Sequence, residues 1–146
     1  MSGKAMSEGI IIEIDDQSFE VELQISKAQK TVEAFLKLLP YESKTIHARW
    51  SGEAMWIPLP KNLMPEVTVL ENQTSYPSRG EILYYPGFVS EKEILIPYGA
   101  AIFSSRVGML PGTHFATIKN SQDKLLEEIG KRVLWEGAKK VIIRQP

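Results

Sequence analysis

Seven residues in this sequence carry the side chains best suited to bind or transform a small molecule. They are His47, Arg49, Glu53, Trp56, Tyr98, Phe103 and His114. The first four fall within one stretch, HARWSGEAMWIPLP, at positions 47–60. An arginine binds carboxylate or carbonyl oxygens, a tryptophan stacks on flat groups, and a histidine exchanges protons near neutral pH. The stretch is therefore a candidate for either a binding surface or a catalytic site.

A turn at Ser51-Gly52 folds this stretch into a β-hairpin, in which Arg49 pairs with Ala54 and His47 with Trp56. The apolar face then contains Ile46, Ala48, Trp50, Met55 and Ile57, with Glu53 at its rim. The other face contains His47, Arg49, Ala54 and Trp56. That mixed face predicts a ligand site with Arg49 as the anion or carbonyl anchor and Trp56 as a stacking wall. The structural alternative is that Trp56 covers part of a helix and Arg49 bonds a neighbouring carboxylate.

The remaining candidates lie near turns. Tyr98 and Phe103 can line a cleft, because aromatic side chains near turns offer apolar area at low entropic cost, but such residues also fill barrel ends or dimer contacts. His114, in PGTHFATI, suits an acid, a base or an anion donor, or a simple bond to a nearby carbonyl. The sequence leaves open whether His114 shares a pocket with His47 and Arg49.

Several kinds of site are excluded by what the sequence lacks. The chain has no cysteine, so disulfides, thiolate metal sites and cysteine nucleophiles are excluded. Its two histidines and its carboxylates do not have the spacing of metal ligands, so we expect no metal and no cofactor. Ser104-Ser105 lacks the G-x-S-x-G elbow of hydrolases, and the glycines at 108 and 112 lack the lysine of a phosphate loop. No recognised catalytic constellation remains.

The charge and hydropathy of the sequence limit which classes of partner the protein is expected to bind. With 17 Lys and Arg against 18 Asp and Glu, the net charge is -1 and no basic cluster is present. We therefore expect neither nucleic acid nor a membrane surface as a partner. No apolar run serves as a signal peptide or a membrane span, which predicts a soluble, cytoplasmic protein. The length of 146 residues predicts one domain over residues 10–146, preceded by a flexible segment at 1–9.

Hydrophobic periodicity predicts an α+β chain dominated by strands. Two strands, at 10–14 and 19–25, precede a helix with Ser26 and Gln29 as a capping box and Pro40 at its end. A β-rich region follows at 44–118, in which GEILYYPG and KEILIPYG form two arms of one hairpin. A second helix at 121–135, ended by Gly137, leads to a closing strand at 140–144. Many short strands with frequent turns favour a barrel or a sandwich.

Four runs in this sequence carry a family resemblance: RWSGEAMWIPLP, ENQTSYPSRGEILYYPG, EILIPYG and FSSRVGMLPGTHFATI. Together they resemble a bacterial family of uncharacterised proteins with a cyclophilin-like fold, over roughly residues 49–118. The resemblance implies a small closed β-barrel with a helix near each end. It does not imply prolyl isomerase activity. His47-Ala48-Arg49 is faintly similar to the Phe-His-Arg strand of true cyclophilins, but their Phe-x-x-x-Gln-x-Gly-Asp and Asn-Gly-Ser-Gln-Phe-Phe motifs are absent.

Three functions remain open from the sequence. The first is binding of a small polar ligand or a short peptide-like segment near the hairpin at 47–58. The second is an enzyme, either a hydrolase or lyase acting on a small amide or carboxylate, or a relic isomerase. The third is a non-catalytic subunit whose aromatic loops contact a partner or a second copy of the chain. The preferred hypothesis is the first, because no catalytic constellation supports the second.

Overall fold

Alternating apolar residues give this chain a series of short strands that close into a barrel. The structure is a computed structural model, and it describes residues 9–146. Its strands are β1 (Gly9–Ile14), β2 (Gln17–Leu23), β3 (Tyr41–His47), β4 (Gly52–Pro58), β5 (Gln73–Thr74), β6 (Glu81–Tyr85), β7 (Glu93–Ala101), β8 (Ser104–Ser105), β9 (Gly108–Met109), β10 (Gly112–Ile118) and β11 (Lys139–Arg144). Its helices are α1 (Gln29–Leu36) and α2 (Asp123–Glu136).

Eight of these strands form a closed antiparallel ring. The order around the ring is β2-β1-β11-β3-β4-β7-β6-β10, and pairing of β10 with β2 closes it. Strand β5 adds to the edge of β10, while β8 and β9 form a separate small hairpin. The predicted mainly-β barrel with two helices is confirmed. The predicted flexible segment at 1–9 lies outside the described residues, except for Gly9, which begins β1.

The barrel interior is filled by every second residue of each strand, as a sheet with one buried face requires. In β1, Ile10, Ile12 and Ile14 point inward and are at most 2% exposed. The helices cover this core. The ring of Phe35 in α1 meets that of Phe115 in β10 edge to face at 5.0 Å, which joins that helix to the barrel wall.

Helix α2 packs its apolar stripe against the same core. Leu126, Ile129 and Val133 are buried along one face, as their spacing predicts. Gly137 ends the helix with φ +99°, a conformation that glycine adopts without strain. The predicted helix is confirmed, although a single 3-10 turn at Asn120–Gln122 takes the place of its expected first turn. Within the described chain, no helix is long and apolar enough to cross a bilayer.

The start of α1 is capped by a carboxylate from a distant loop. The predicted Ser26–Gln29 capping box is wrong, because the helix begins at Gln29 and its first turn has no local side-chain cap. Glu71 takes that role. Its carboxylate accepts hydrogen bonds from Thr31 N at 2.9 Å, Thr31 Oγ1 at 2.8 Å and Lys30 N at 3.2 Å. A negative charge that satisfies the free N–H groups of a helix start stabilises the helix.

This cap makes stability depend on the ionisation of Glu71. Burial alone would raise the pKa of Glu71, but the hydrogen bonds from Thr31 and Lys30 outweigh it and lower the pKa. The cap therefore contributes stability above the unfolded-state pKa and loses it as pH falls through the folded-state pKa. We expect Glu71→Gln to lower the free energy of unfolding by about 0.5–2 kcal/mol near pH 7, and by progressively less in acid.

Urea unfolding at several pH values measures this effect. Glu128→Gln is the matched control, because Glu128 is an exposed carboxylate of α2 that forms no hydrogen bond or ion pair within residues 9–146. Equal losses of stability for Glu71→Gln at neutral and at acidic pH would contradict the role of the charged cap.

The hairpin of β3 and β4 lies one residue out of its predicted register. Ile46 pairs with Trp56, and His47 pairs with Met55. The predicted pairs His47–Trp56 and Arg49–Ala54 are therefore wrong. His47 shares a face with Met55, which is fully buried in the barrel core. The outer face of the hairpin instead contains Ile46, Ala48, Ala54 and Trp56.

Contacts with distant strands set this register. Ser51 is 4% exposed, and its Oγ donates to Ser104 O at 3.1 Å and accepts from Ser104 N at 3.0 Å. Gly52 has φ +90°, and a Cβ there would lie 2.8 Å from the carbonyl oxygen of Ala100. The tip of the hairpin is thus fixed against β7 and β8, and a two-residue turn at Ser51-Gly52 does not form.

Candidate functional site

A second apolar cluster lies on the outside of the barrel, beneath the segment 102–111. Its buried members are Ala54, Leu83, Tyr85, Leu95, Phe103 and Leu110. The ring of Phe103 meets that of Tyr85 edge to face at 5.6 Å, and Phe103 is completely buried. The structure thus places Phe103, a predicted lining residue, underneath the surface. Its position supports the site from below.

Three segments surround this cluster and enclose a groove of about 1270 Å³. They are the β3–β4 loop at 48–51, the β6–β7 loop at 86–92, and the segment 104–107, which comprises β8 and the turn that follows it. The bonds between Ser51 and Ser104 tie the first segment to the third. Val89 N donates to the hydroxyl of Tyr85 at 3.0 Å and so fixes the second segment to the floor. The groove is therefore built by contacts between segments far apart in sequence.

Trp56 forms the aromatic wall of this groove. It is half-buried, packs against the outer cluster and lies opposite Leu95 on the neighbouring strand. Both residues line the groove. An indole fixed in this way offers a flat apolar surface whose position is already set before a ligand arrives.

The groove is positively charged although the whole chain has a net charge of -1. Four of its lining residues are basic, Arg49, Lys61, Lys92 and Arg106, and two are acidic, Glu91 and Glu93. Arg49 and Arg106 are exposed and form no hydrogen bond or ion pair with any residue the structure describes. Unpaired guanidinium groups beside an apolar wall favour a ligand that carries a carboxylate.

Glu93 is a candidate functional residue that sequence reasoning missed. It begins β7 on the outer face of the barrel, opposite Pro58 on one side and Tyr85 on the other. It lines the groove yet is only 8% exposed. Burial raises the pKa of Glu93 to about 8, and the charge of Glu91 adds to this effect. Carboxyl groups that lie in clefts and have a strongly shifted pKa are typical of functional sites.

A signal for Glu93 was present in the sequence. In the run KEILIPYG, Ile94 and Ile96 alternate inward, which leaves the apolar Leu95 on the outer face. An apolar residue facing outward indicates that something covers the outer face at that point. A covered outer face also buries Glu93, the preceding outward residue of the same strand.

Three predicted residues meet elsewhere, at one end of the barrel. His47 Nδ1 lies 2.8 Å from the carbonyl of Ala48 and therefore donates to it. The other nitrogen, Nε2, lies 2.8 Å from the hydroxyl of Tyr98 and accepts its hydrogen bond in the neutral ring. Burial raises the pKa of Tyr98, and the charge of Glu53 adds to this effect.

This barrel-end group is satisfied by the protein itself. Glu53 Oε1 accepts a hydrogen bond from Ala100 N at 2.9 Å, and Tyr98 is 2% exposed. None of His47, Glu53 and Tyr98 lines the groove. Their hydrogen bonds indicate that they join β3, β4 and β7 at this end of the barrel.

His114 is separate from both groups. It lies on β10, where its Nε2 is 2.8 Å from Thr117 Oγ1 and its backbone exchanges hydrogen bonds with Asn72. Burial lowers the pKa of His114, and the charge of Glu81 and a backbone hydrogen bond partly offset this effect. His114 does not line the groove, so it shares no pocket with Arg49. Across the described residues, no three His, Cys, Asp or Glu side chains gather as metal ligands.

A family model matches residues 10–144, almost all of the described chain. The chain belongs to the DUF3830 family. DUF3830 members are described as proteins of unknown function. The predicted resemblance to an uncharacterised family is confirmed. No curated protein matches the chain.

Several solved structures have a similar fold. McbB in complex with tryptophan has a TM-score of 0.74 at 19% identity, over 93% of this chain and 44% of McbB. The hypothetical protein AF2241 from Archaeoglobus fulgidus has a TM-score of 0.64 at 18% identity, over 100% of both chains. A cyclophilin-type peptidyl-prolyl cis-trans isomerase from Cryptosporidium parvum, in the presence of the dipeptide Ala-Pro, has a TM-score of 0.54 at 15% identity. The match covers 94% of this chain and 96% of the isomerase.

These likenesses confirm a cyclophilin-like barrel. At such identities they show the fold alone, since one fold hosts many functions. This DUF3830 chain also spans less than half the length of McbB.

Proposed function

We propose that this DUF3830 protein binds a small organic carboxylate with an apolar body, in the groove on the outer face of its barrel. One observation carries the proposal: within residues 9–146, Arg49 and Arg106 have no partner, and they line the same groove as the fixed indole of Trp56. A carboxylate bonds well to guanidinium groups, and an apolar body stacks well on an indole. The local positive charge of the groove attracts such a ligand.

One further observation supports this function. The McbB structure contains tryptophan, which combines a carboxylate with a flat apolar group, so tryptophan is a reasonable first probe. Prolyl isomerase activity is not part of the proposal. His47 bonds to Tyr98 away from the groove, and Arg49 lies in a loop after β3, so the His47-Ala48-Arg49 run presents no strand arginine beside a proline cradle.

The test is calorimetric titration of tryptophan and other aromatic carboxylates into the purified protein. We expect at least one to bind, and Arg49→Ala to weaken its binding about tenfold or more, the usual loss for a charge-assisted hydrogen bond. The melting temperature of the free protein is expected to stay unchanged, because Arg49 has no protein partner to lose.

Lys131→Ala is the control, because Lys131 is an exposed cation of α2 that lies outside the groove. We expect it to bind like the wild type. Full affinity in both Arg49→Ala and Arg106→Ala would contradict the proposed function.

A further inference from the structure

The carboxyl group of Glu93 has no partner within the protein. Over residues 9–146, no hydrogen bond and no ion pair reaches it. The adjacent Lys92 does not neutralise it, because Lys92 Nζ donates to the carbonyl oxygens of Lys61, at 2.8 Å, and of Leu63. Glu93 is 8% exposed, and its carboxyl oxygens open to the groove, because among residues 9–146 the Tyr84 hydroxyl is the side-chain polar atom that is both fully buried and without a partner. A carboxyl group with little hydration and no partner gains free energy from a hydrogen-bond donor. A ligand group that donates N–H bonds would satisfy this one from the groove side.

Arg49 and Glu93 lie at opposite ends of β4. Arg49 follows Ala48, whose N donates to Ala54 O near the start of that strand. Glu93 lies opposite Pro58, at the end of the strand. A strand advances about 3.3 Å per residue, so the two ends are separated by roughly 13 Å. This is the separation of the backbone positions along β4. The ammonium and carboxylate of a single amino acid share one carbon, so a ligand whose charged ends lie several residues apart matches it better.

A short peptide does span it. An extended chain covers about 3.3–3.6 Å per residue, so roughly three to five residues reach from one end of β4 to the other. Trp56 lies between these ends on the same outer face and lines the groove together with Leu95. The middle of such a peptide would place an apolar side chain on this wall.

We infer that the ligand of the groove is a free peptide or peptide-like chain of about three to five residues, with its amino terminus at Glu93 and its carboxylate at Arg49. This inference rests on the proposed function and names the class of carboxylate that the groove binds. Both termini must be free, because each supplies the charge that one end of the groove lacks.

Binding of this kind exchanges a proton. The charged or titratable residues that line the groove with Glu93 are Arg49, at its far end, and Lys61, Glu91, Lys92 and Arg106, and Tyr85 pairs with Glu93 on the neighbouring strand. Burial raises the pKa of Glu93 to about 8, so at neutral pH its carboxyl group is mostly protonated. To pair with an ammonium group, Glu93 gives its proton to the solvent. Affinity is therefore expected to rise toward pH 8 and to fall above it, where a peptide amine with a pKa of about 7.7–8.0 loses its own proton.

The experiment is calorimetric titration with Ala-Phe-Ala-Ala, its N-acetylated form and its C-amidated form, at pH 6, 7, 8 and 9 in two buffers. We expect acetylation to weaken binding about tenfold or more, which corresponds to the loss of one charge-assisted bond. Glu93→Gln is expected to weaken binding of the free peptide to the same degree and to leave the acetylated peptide unaffected. Release of a proton on binding below pH 8 is expected in the wild type and not in the variant.

Glu91→Gln is the matched control, since Glu91 is an exposed acid of the same groove, and it is expected to keep the preference for a free amino terminus. Glu93→Leu replaces the glutamine variant in this experiment if that variant misfolds, because it also removes the carboxyl group. Equal binding of the free and acetylated peptides would overturn the inference. So would Arg49-dependent binding of tryptophan with no binding of the peptide, an outcome that leaves the proposed function intact. Failure of every carboxylate to bind would overturn both.

Discussion

Replacing Phe103 by alanine is expected to lower the free energy of unfolding by about 3–5 kcal/mol and to abolish ligand binding in the groove. Phe103 is completely buried, and its ring contacts Tyr85 in the outer cluster. Its backbone N donates to Ser75 O at 2.8 Å, and its carbonyl accepts from Leu110 N at 2.9 Å. Removal of this ring leaves a cavity beneath the β8–β9 hairpin, so one wall of the groove loses its support.

Urea unfolding and calorimetric titration of the same samples measure both effects. Phe103→Leu is the control, because it keeps most of the buried volume and is expected to cost less than about 1.5 kcal/mol. That variant should still bind ligand. If Phe103→Ala bound ligand as tightly as the wild type, the groove would not depend on the cluster beneath it.

Gly130→Ala is expected to destabilise the protein by about 1–3 kcal/mol, although alanine usually stabilises a helix interior relative to glycine by about 0.5–1 kcal/mol. The reason is the close approach of α2 to Tyr98. A Cβ at Gly130 would lie 2.2 Å from two ring carbons of Tyr98, which is 2% exposed. Neither the helix nor the buried ring can move without disturbing the core.

A double-mutant cycle tests this cause. In a Tyr98→Ala background the obstructing ring is gone, so Gly130→Ala should become neutral or stabilising. Glu128→Ala, on the exposed side of the same helix, should change the stability of the wild type by no more than about 0.5 kcal/mol. A loss for Gly130→Ala that is equally large in both backgrounds would point to a cause other than the ring.

Local patterns in the sequence predicted the second helix and several strands, whereas the choice of a closed barrel over a sandwich came from the family resemblance. The echo between GEILYYPG and KEILIPYG does mark one hairpin, in which Leu83 pairs with Leu95. The helical spacing of Ile129 and Val133, with Gly137 after them, does place and end α2. Each of these signals depends on residues close together in sequence, where the 2-residue and 3.6-residue periods decide which side chains are buried.

The site was harder to predict, because distant contacts determine it. One residue of slip in the β3–β4 hairpin moves His47 to the side of Met55 and leaves Trp56 with Ile46. The anchor of that hairpin, Ser104, is more than fifty positions from Ser51 along the chain. Of the seven predicted residues, Arg49 and Trp56 lie in the groove, and Phe103 lies beneath it. Their role as ligand contacts stays a prediction.

Glu93 is a second example of a residue whose surroundings depend on contacts distant in sequence. An acid on the outer face of a barrel strand is ordinarily solvated, whereas Glu93 is only 8% exposed. The segment 102–111 packs on the neighbouring outward residue, Leu95, and its position on the barrel depends on the packing of Phe103 and Leu110 into the outer cluster. The alternation in β7 indicates that its outer face is covered, but which segment covers it depends on distant contacts.

The neighbouring positions of β1 and β11 have a consequence for how fast the barrel assembles. Ile11 pairs with Arg144, so the ring includes a pairing between the two ends of the described chain. Bringing such remote segments together costs chain entropy before any contact between them forms to offset that cost. This requirement slows folding. A circular permutant that links β11 to β1 and opens the chain within the β8–β9 turn converts this pairing into a local hairpin. It should therefore refold faster than the parent, while the cut leaves the groove with one wall in two pieces.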